Sequence, residues 1–136
     1  MAVENWLAVL VSAIASMILG WLWYGPLFGK VWINMMGFTK KDMDAAKKKG
    51  MAKSYLLMFI SALVTASVIS ILVGMTGTSD AIGGMILGFW VWLGFVATIT
   101  LSSVLWEGKK FSLWFLNNAY NLINLLIIGA ILGFWH

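Results

Sequence analysis

The chain has 136 residues, of which 62% are hydrophobic and 10% charged, and its formal net charge is +4. A soluble domain carries about a quarter charged residues, and so short a chain cannot hide this much apolar side chain in one core. A water-soluble domain is therefore excluded, and the bilayer is the solvent. There is no cysteine, hence no disulfide, thiolate nucleophile or sulfur-ligated metal, and the positive charge comes from nine lysines without arginine.

The first apolar run covers about 5–24. Glu4 is the only early charge and no positive region precedes the run, so it reads as a span and not as a signal peptide. About 20 helical residues cross a hydrocarbon core of ~30 Å. Pro26, between Gly25 and Leu27, is expected to end or kink this helix near the membrane edge. From Leu27 to Met36, the residues Phe28, Val31, Trp32, Met35 and Met36 form one apolar face. This segment is a short interfacial helix or a continuation of the kinked first helix. Gly37 ends it. Thr39 followed by Asp42 forms a capping-box pattern before a polar helix at about 40–49.

The second span is about 54–74. Thr78, Ser79 and Asp80 offer N-caps for a third at about 81–106, and Gly108 offers its stop, with Lys109 and Lys110 beyond. The fourth span is about 111–135. Backbone polar groups in lipid must be satisfied within each segment, so all four are helices. The chain is expected to be an all-α integral membrane protein. It would form one domain, 1–136, as a four-transmembrane-helix bundle with a short interfacial helix after the first span and a basic loop at 27–53. The match of Met17–Gly20 with Met85–Gly88 falls at different helix depths and reads as chance, not as a repeat.

All lysines lie in the loop after the first span, at its edge at Lys53, or in the loop after the third, and the positive-inside rule places that side in the cytoplasm. Both termini then face outward across the cell membrane. Trp6, Phe134 and Trp135 mark the outer interface. Trp23, Tyr24, Trp32, Tyr55, Trp106 and Trp114 mark the inner one.

Small residues recur every fourth position: Ala8, Ser12, Ser16, Gly20; Ala62, Ala66, Ser70, Gly74; Gly84, Gly88, then Gly94, Thr98, Ser102; and Gly129, Gly133. Such stripes let helices approach closely, either within one bundle or between copies. No ionisable group lies deep in a span, so an intramembrane proton relay has no residue to carry it. The main polar feature is Asn117, Asn118, Asn121 and Asn124. Positions 117, 121 and 124 share a face, and Ser12, Thr65, Trp92 and Asn124 fall at roughly one depth, about 18–21 Å from the inner edge. This polar layer reads either as hydrogen bonding that fixes the bundle or as a cavity for a solute. Glu107, beside Lys109 and Lys110, reads as a solvated or lysine-paired charge or as a holder of a substrate cation. His136 reads as an exposed tail.

The string Gly20-Trp21-Leu22-Trp23-Tyr24-Gly25-Pro26-Leu27-Phe28-Gly29-Lys30-Val31-Trp32, with Met36-Gly37 after it, resembles the hallmark of the family called domain of unknown function 1761. Trp92–Thr98, Leu105–Gly108, Asn118–Leu122 and Ile128–Gly133 resemble the rest of its pattern. The resemblance covers nearly the whole chain. It implies a small prokaryotic membrane protein with four helices and marks Trp23, Tyr24, Gly25, Pro26, Gly29, Trp32, Glu107 and Tyr120, but it implies no activity. Where the family pattern has a histidine after the tyrosine this chain has Asn121, so chemistry relying on that histidine is not open to it.

No Ser/His/Asp set, metal-ligand cluster or phosphate loop is present in the sequence, so neither enzyme nor cofactor is expected. Nucleic acid has only the lysines in its favour. The first functional reading is a non-catalytic membrane protein that forms a homo-oligomer or docks on a partner. The alternative is a small carrier or pore for an uncharged, weakly polar or lipid-like ligand, using the Asn/Trp layer. Expected partners are the lipid bilayer, a second copy, and anionic lipid at the lysine-rich loop.

Overall fold

A computed structural model describes Val3 and residues 5–135, so the expectations for Glu4 and His136 lie outside the described residues. Within them the chain is helical, without strands. The helices are α1 (Trp6–Leu27), α2 (Gly29–Met36), α3 (Lys40–Lys49), α4 (Ala52–Thr76), α5 (Ala81–Leu105) and α6 (Phe111–Phe134). Four of them, α1, α4, α5 and α6, are long and apolar enough to cross a membrane. Several helix ends follow from local chemistry. The Asn5 side chain accepts from the Ala8 amide at 3.1 Å and caps α1. Of the three candidates before α5, Asp80 is the cap, accepting from Gly83 N at 2.7 Å. Gly37 ends α2 at φ 73° and Gly108 follows α5 at φ 70°, a left-handed conformation that favours glycine.

As expected, Pro26 disturbs α1, which ends one residue later at Leu27. The helix widens into a π turn over Trp23–Leu27, in which the Phe28 amide donates to Trp23 O at 2.9 Å. Proline has no N–H for an α-helical bond and its ring crowds the carbonyl four residues back. A π turn relieves both and carries the helix to its end at Leu27. A second π segment, Trp92–Ala97, interrupts α5 without a proline.

α6 is the hub, packing against α1, α4 and above all α5. The core cluster joins Ala8 and Val9 of α1, Ala66, Ile69 and Val73 of α4, and Leu125, Ile128 and Leu132 of α6. On the α1 and α4 stripes, Ala8, Ser12, Ser16, Ala62 and Ala66 are buried, so these small residues serve packing within the chain. On α5 and α6 the fit is tighter. A Cβ at Gly84 would overlap the Gly129 carbonyl and lie 3.2 Å from Gly133 Cα; one at Gly88 would overlap the backbone of Leu125. Backbone therefore meets backbone, the packing mode expected where lipid supplies no hydrophobic drive. The Gly94–Thr98–Ser102 stretch is different: all three are exposed, and nothing lies within 4 Å of a Cβ at Gly94.

Two measurements check this description. Gly84→Ala and Gly129→Ala should each lower the melting temperature in detergent, at a cost of about 1–3 kcal/mol from overpacking. Gly74→Ala and Gly94→Ala, which meet open space, should be neutral or slightly stabilising because alanine is the better helix former. At the start of α3, Thr39 and Asp42 cap each other, with Thr39 N donating to Asp42 Oδ2 at 2.9 Å and Asp42 N to Thr39 Oγ1 at 3.1 Å. The Thr39 amide, and then its side chain, hold the Asp42 carboxyl below its ordinary pKa. A depressed carboxylate pKa stabilises above the ordinary value and loses that contribution as pH falls through the depressed one. The Thr39 amide resonance should titrate with that lowered midpoint, and Asp42→Asn should abolish the titration.

Candidate ligand cavity

The two π turns each bring a side chain from a neighbouring helix to one of a pair of adjacent asparagines on α6. From α1, the Tyr24 hydroxyl donates to Asn117 Oδ1 at 2.7 Å. From α5, Trp92 Nε1 donates to the Asn118 carbonyl at 2.9 Å. The Thr100 hydroxyl, just beyond the second π turn, lies 3.1 Å from Asn118 Oδ1 and shares its single proton between that oxygen and Val96 O at 2.6 Å, while Asn118 Nδ2 donates to Trp114 O at 3.0 Å. Asn118 is only 3% exposed, so these partners satisfy an amide that would be costly to leave unpaired. Consecutive helical residues point about 100° apart. Asn117 can therefore serve α1 while Asn118 serves α5.

Most of the marked motif gathers around the first of these contacts. Tyr24 packs edge-on against Tyr120 at 5.2 Å and Trp32 at 5.3 Å, and Trp23 packs against Phe28 at 4.6 Å and Tyr120 at 6.3 Å. Gly29 is required by the close approach of α2: a Cβ there would sit 2.7 Å from Tyr24 O. Gly20 leaves room for the Tyr120 hydroxyl, which lies 3.3 Å from where a Cβ would stand. The Trp-Tyr-Gly-Pro-Leu-Phe-Gly string is thus a joint between α1, α2 and α6. Pro26 lies in its π turn, and Gly25 is exposed with nothing near its Cβ position. Glu107 stands apart, exposed and without an ion pair among the described residues.

The expected layer of Ser12, Thr65, Trp92 and Asn124 does not form a connected network. Ser12 is fully buried and its hydroxyl has no partner among the described residues; Asn124 Oδ1 is likewise buried and unpaired. Thr65 is half-buried and makes no hydrogen bond there, and Trp92 bonds to Asn118. Depth along a helix fixes height but not direction around it. Asn117 and Asn121 do share a site. With Asn118 they line a cavity of about 560 Å³ between α6, the end of α5 and α2. Thr100, Ser102 and Ser103 of α5 contribute hydroxyls, Lys109 a cation, and Met36, Ile99 and Leu113 apolar surface. Trp114 completes the wall.

Asn118, Thr100, Ser103, Lys109 and Trp114 were not singled out for a site from the sequence. Asn118 had the one usable signal, as the fourth member of the asparagine cluster, but its offset from the shared face of 117, 121 and 124 set it aside. A second hollow along α3, lined by Lys40, Lys41, Asp44, Ala45 and Lys48, is formed by one exposed helix.

The family model described as a protein of unknown function (DUF1761) matches residues 7–133. No curated protein and no solved structure matches the chain.

The asparagine pair yields an ordered series of stability losses. Asn118→Ala should cost about 1–3 kcal/mol and Tyr24→Phe about 0.5–1.5 kcal/mol, each leaving a polar partner unmade. Glu107→Gln should change the melting temperature little. A Glu107 effect as large as that of Asn118 would contradict the assignment.

Proposed function

The chain belongs to the DUF1761 family, whose description assigns no activity, and we propose that it is a non-catalytic membrane protein that holds a small ligand in the cavity between α5, α6 and α2. The observation that carries this reading is that hollow, a half-open groove between the helices and not an enclosed cavity. Its volume of about 560 Å³ lies in the range of small-molecule sites, roughly 300–1,000 Å³. Asn121 stands in its lining with an amide that makes no hydrogen bond among the described residues. The lining holds amides, hydroxyls and one lysine but no His, Asp or Glu to serve as a general base, which favours binding over chemistry. A through-pore is disfavoured because Ala8, Ser12, Ala13, Ala66, Ile128 and Leu132 at the bundle centre are each 0% exposed.

A second reading, assembly with another copy, is supported by one observation. The Gly94–Thr98–Ser102 stretch of α5 remains exposed after the chain's own helices have packed. The stripes on α1 and α4 support it less, since their small residues are largely buried within the chain.

The lysines support an orientation in the cell membrane with both termini outside and the 27–53 and Gly108 loops in the cytoplasm. The natural chain has no cysteine, so Ser79→Cys should react with a membrane-impermeant maleimide on intact cells and Lys110→Cys only after lysis. The reverse pattern would overturn the orientation. Native mass spectrometry from a mild detergent tests the binding reading. A small molecule at fixed stoichiometry should be retained, and Asn121→Leu should reduce its occupancy without unfolding the protein. A bare chain under all conditions would overturn it, and a defined oligomer without ligand would favour the second reading.

A further inference from the structure

We propose that the cavity takes the headgroup of an anionic phospholipid, a phosphate ester on an apolar chain with no cationic group of its own to neutralise it; this rests on the ligand-binding reading and names its ligand class. The first argument is an imbalance of hydrogen-bonding groups. Asn117 accepts from Tyr24 through Oδ1 and leaves its amide N–H groups without a partner among the described residues. Asn121 makes no bond there at all. The indole N–H of Trp114 is unpartnered too, but it is buried beneath the wall and offers the cavity no bond. Ser103 adds a hydroxyl without a bond and Lys109 an ammonium, while no carboxylate lines the cavity. Asn118 is different, with both ends of its amide engaged. Free donors in a lining with one cation and no anion match a group that presents several charged acceptor oxygens, with Ser103 on the Lys109 side and Asn121 beyond the reach of oxygens held there.

The second argument is where the polar and apolar parts lie. Lys109 is in the turn before α6, whereas Asn121 is on the third turn of that helix, about 15 Å from its start. Ile99, Met36 and Leu113 line the same cavity, and Ile99 is 63% exposed on the outside of the bundle. An amphiphile seated there has its oxygens near Lys109 and its apolar part against Ile99 and Met36, in contact with the surrounding acyl chains. A soluble phosphate ester would satisfy the donors but leave that apolar wall uncovered. The remaining lysines lie in the loops on the same side, where they raise the local concentration of anionic headgroups.

The test uses the full chain in nanodiscs of phosphatidylcholine with a minor fraction of phosphatidylglycerol, read by native mass spectrometry. The expected result is phosphatidylglycerol retained at one per chain and enriched over phosphatidylcholine. Lys109→Gln should lower its retention roughly tenfold, the scale of losing one charge-assisted hydrogen bond at a partly exposed site. Lys110→Gln, outside the lining, should leave retention unchanged, and an unaltered melting temperature for both variants shows the fold intact. Equal retention of the two lipids, no effect of Lys109→Gln, or an equal effect of Lys110→Gln would overturn the proposal. Added glycerol phosphate separates the two sources of the oxyanion. If it leaves the lipid bound, the amphiphile is supported; if it replaces the lipid, the oxyanion site stands and the lipid is overturned. Retention of a neutral solute that depends on Asn121 but not Lys109 would overturn this inference alone, whereas no retained ligand of any kind would overturn the binding reading as well.

Discussion

The close contact of α5 with α6 is the constraint on which the rest of the structure depends. Gly84 and Gly88 face the backbone of α6 at Gly129, Gly133 and Leu125 with no side chain between them. Apolar side chains gain nothing by leaving lipid for another helix, so dispersion across this interface must hold the helices. Glycine maximises that contact, and on α6 Leu125, Ile128 and Leu132 reach instead toward α1 and α4. The glycines lie near one end of the helix pair. Toward the lysine-bearing end the two helices are joined by Trp92, Thr100 and Asn118, and the cavity opens beside that joint.

This division explains why the asparagines occur as a run on α6. Asn117 and Asn118 tie α1 and α5 to the hub through hydrogen bonds, and each bond depends on a local widening of the partner helix. π turns cost helical regularity and persist where a side chain must be redirected. Asn121, one turn further along, has no such tie and faces the cavity. One helix therefore carries structural amides and a free amide a few residues apart.

The architecture was legible because length and hydropathy are properties of whole segments: four apolar runs, the Asp80 and Thr39–Asp42 caps and the Gly37 stop all appear as expected. The glycine stripes were legible too, though the sequence left open whether they served one chain or several. Less legible was anything set by rotation about a helix axis. Ser12, Thr65, Trp92 and Asn124 count to similar depths along the sequence but share no hydrogen bonds among the described residues. Asn118 lies off the face that positions 117, 121 and 124 share, so the sequence pattern alone gives it no partner. Pro26 signalled a disturbance but not its form, and the π segment at Trp92–Ala97 has no proline to announce it. The lysine-side cavity combines Met36, Thr100 and Asn121, residues so far apart in sequence that no spacing rule connects them.

The most direct test of this account is a through-space carbon–carbon correlation in glycine-labelled protein reconstituted into bilayers and measured by solid-state NMR. A Cβ built on Gly133 would lie 3.0 Å from Gly84 Cα, so the α-carbons of these two residues should give a strong cross-peak at short mixing time. Its presence would confirm that α5 and α6 meet backbone to backbone and frame the cavity. Its absence, with both resonances assigned and rigid, would contradict the helix pairing from which the site is built.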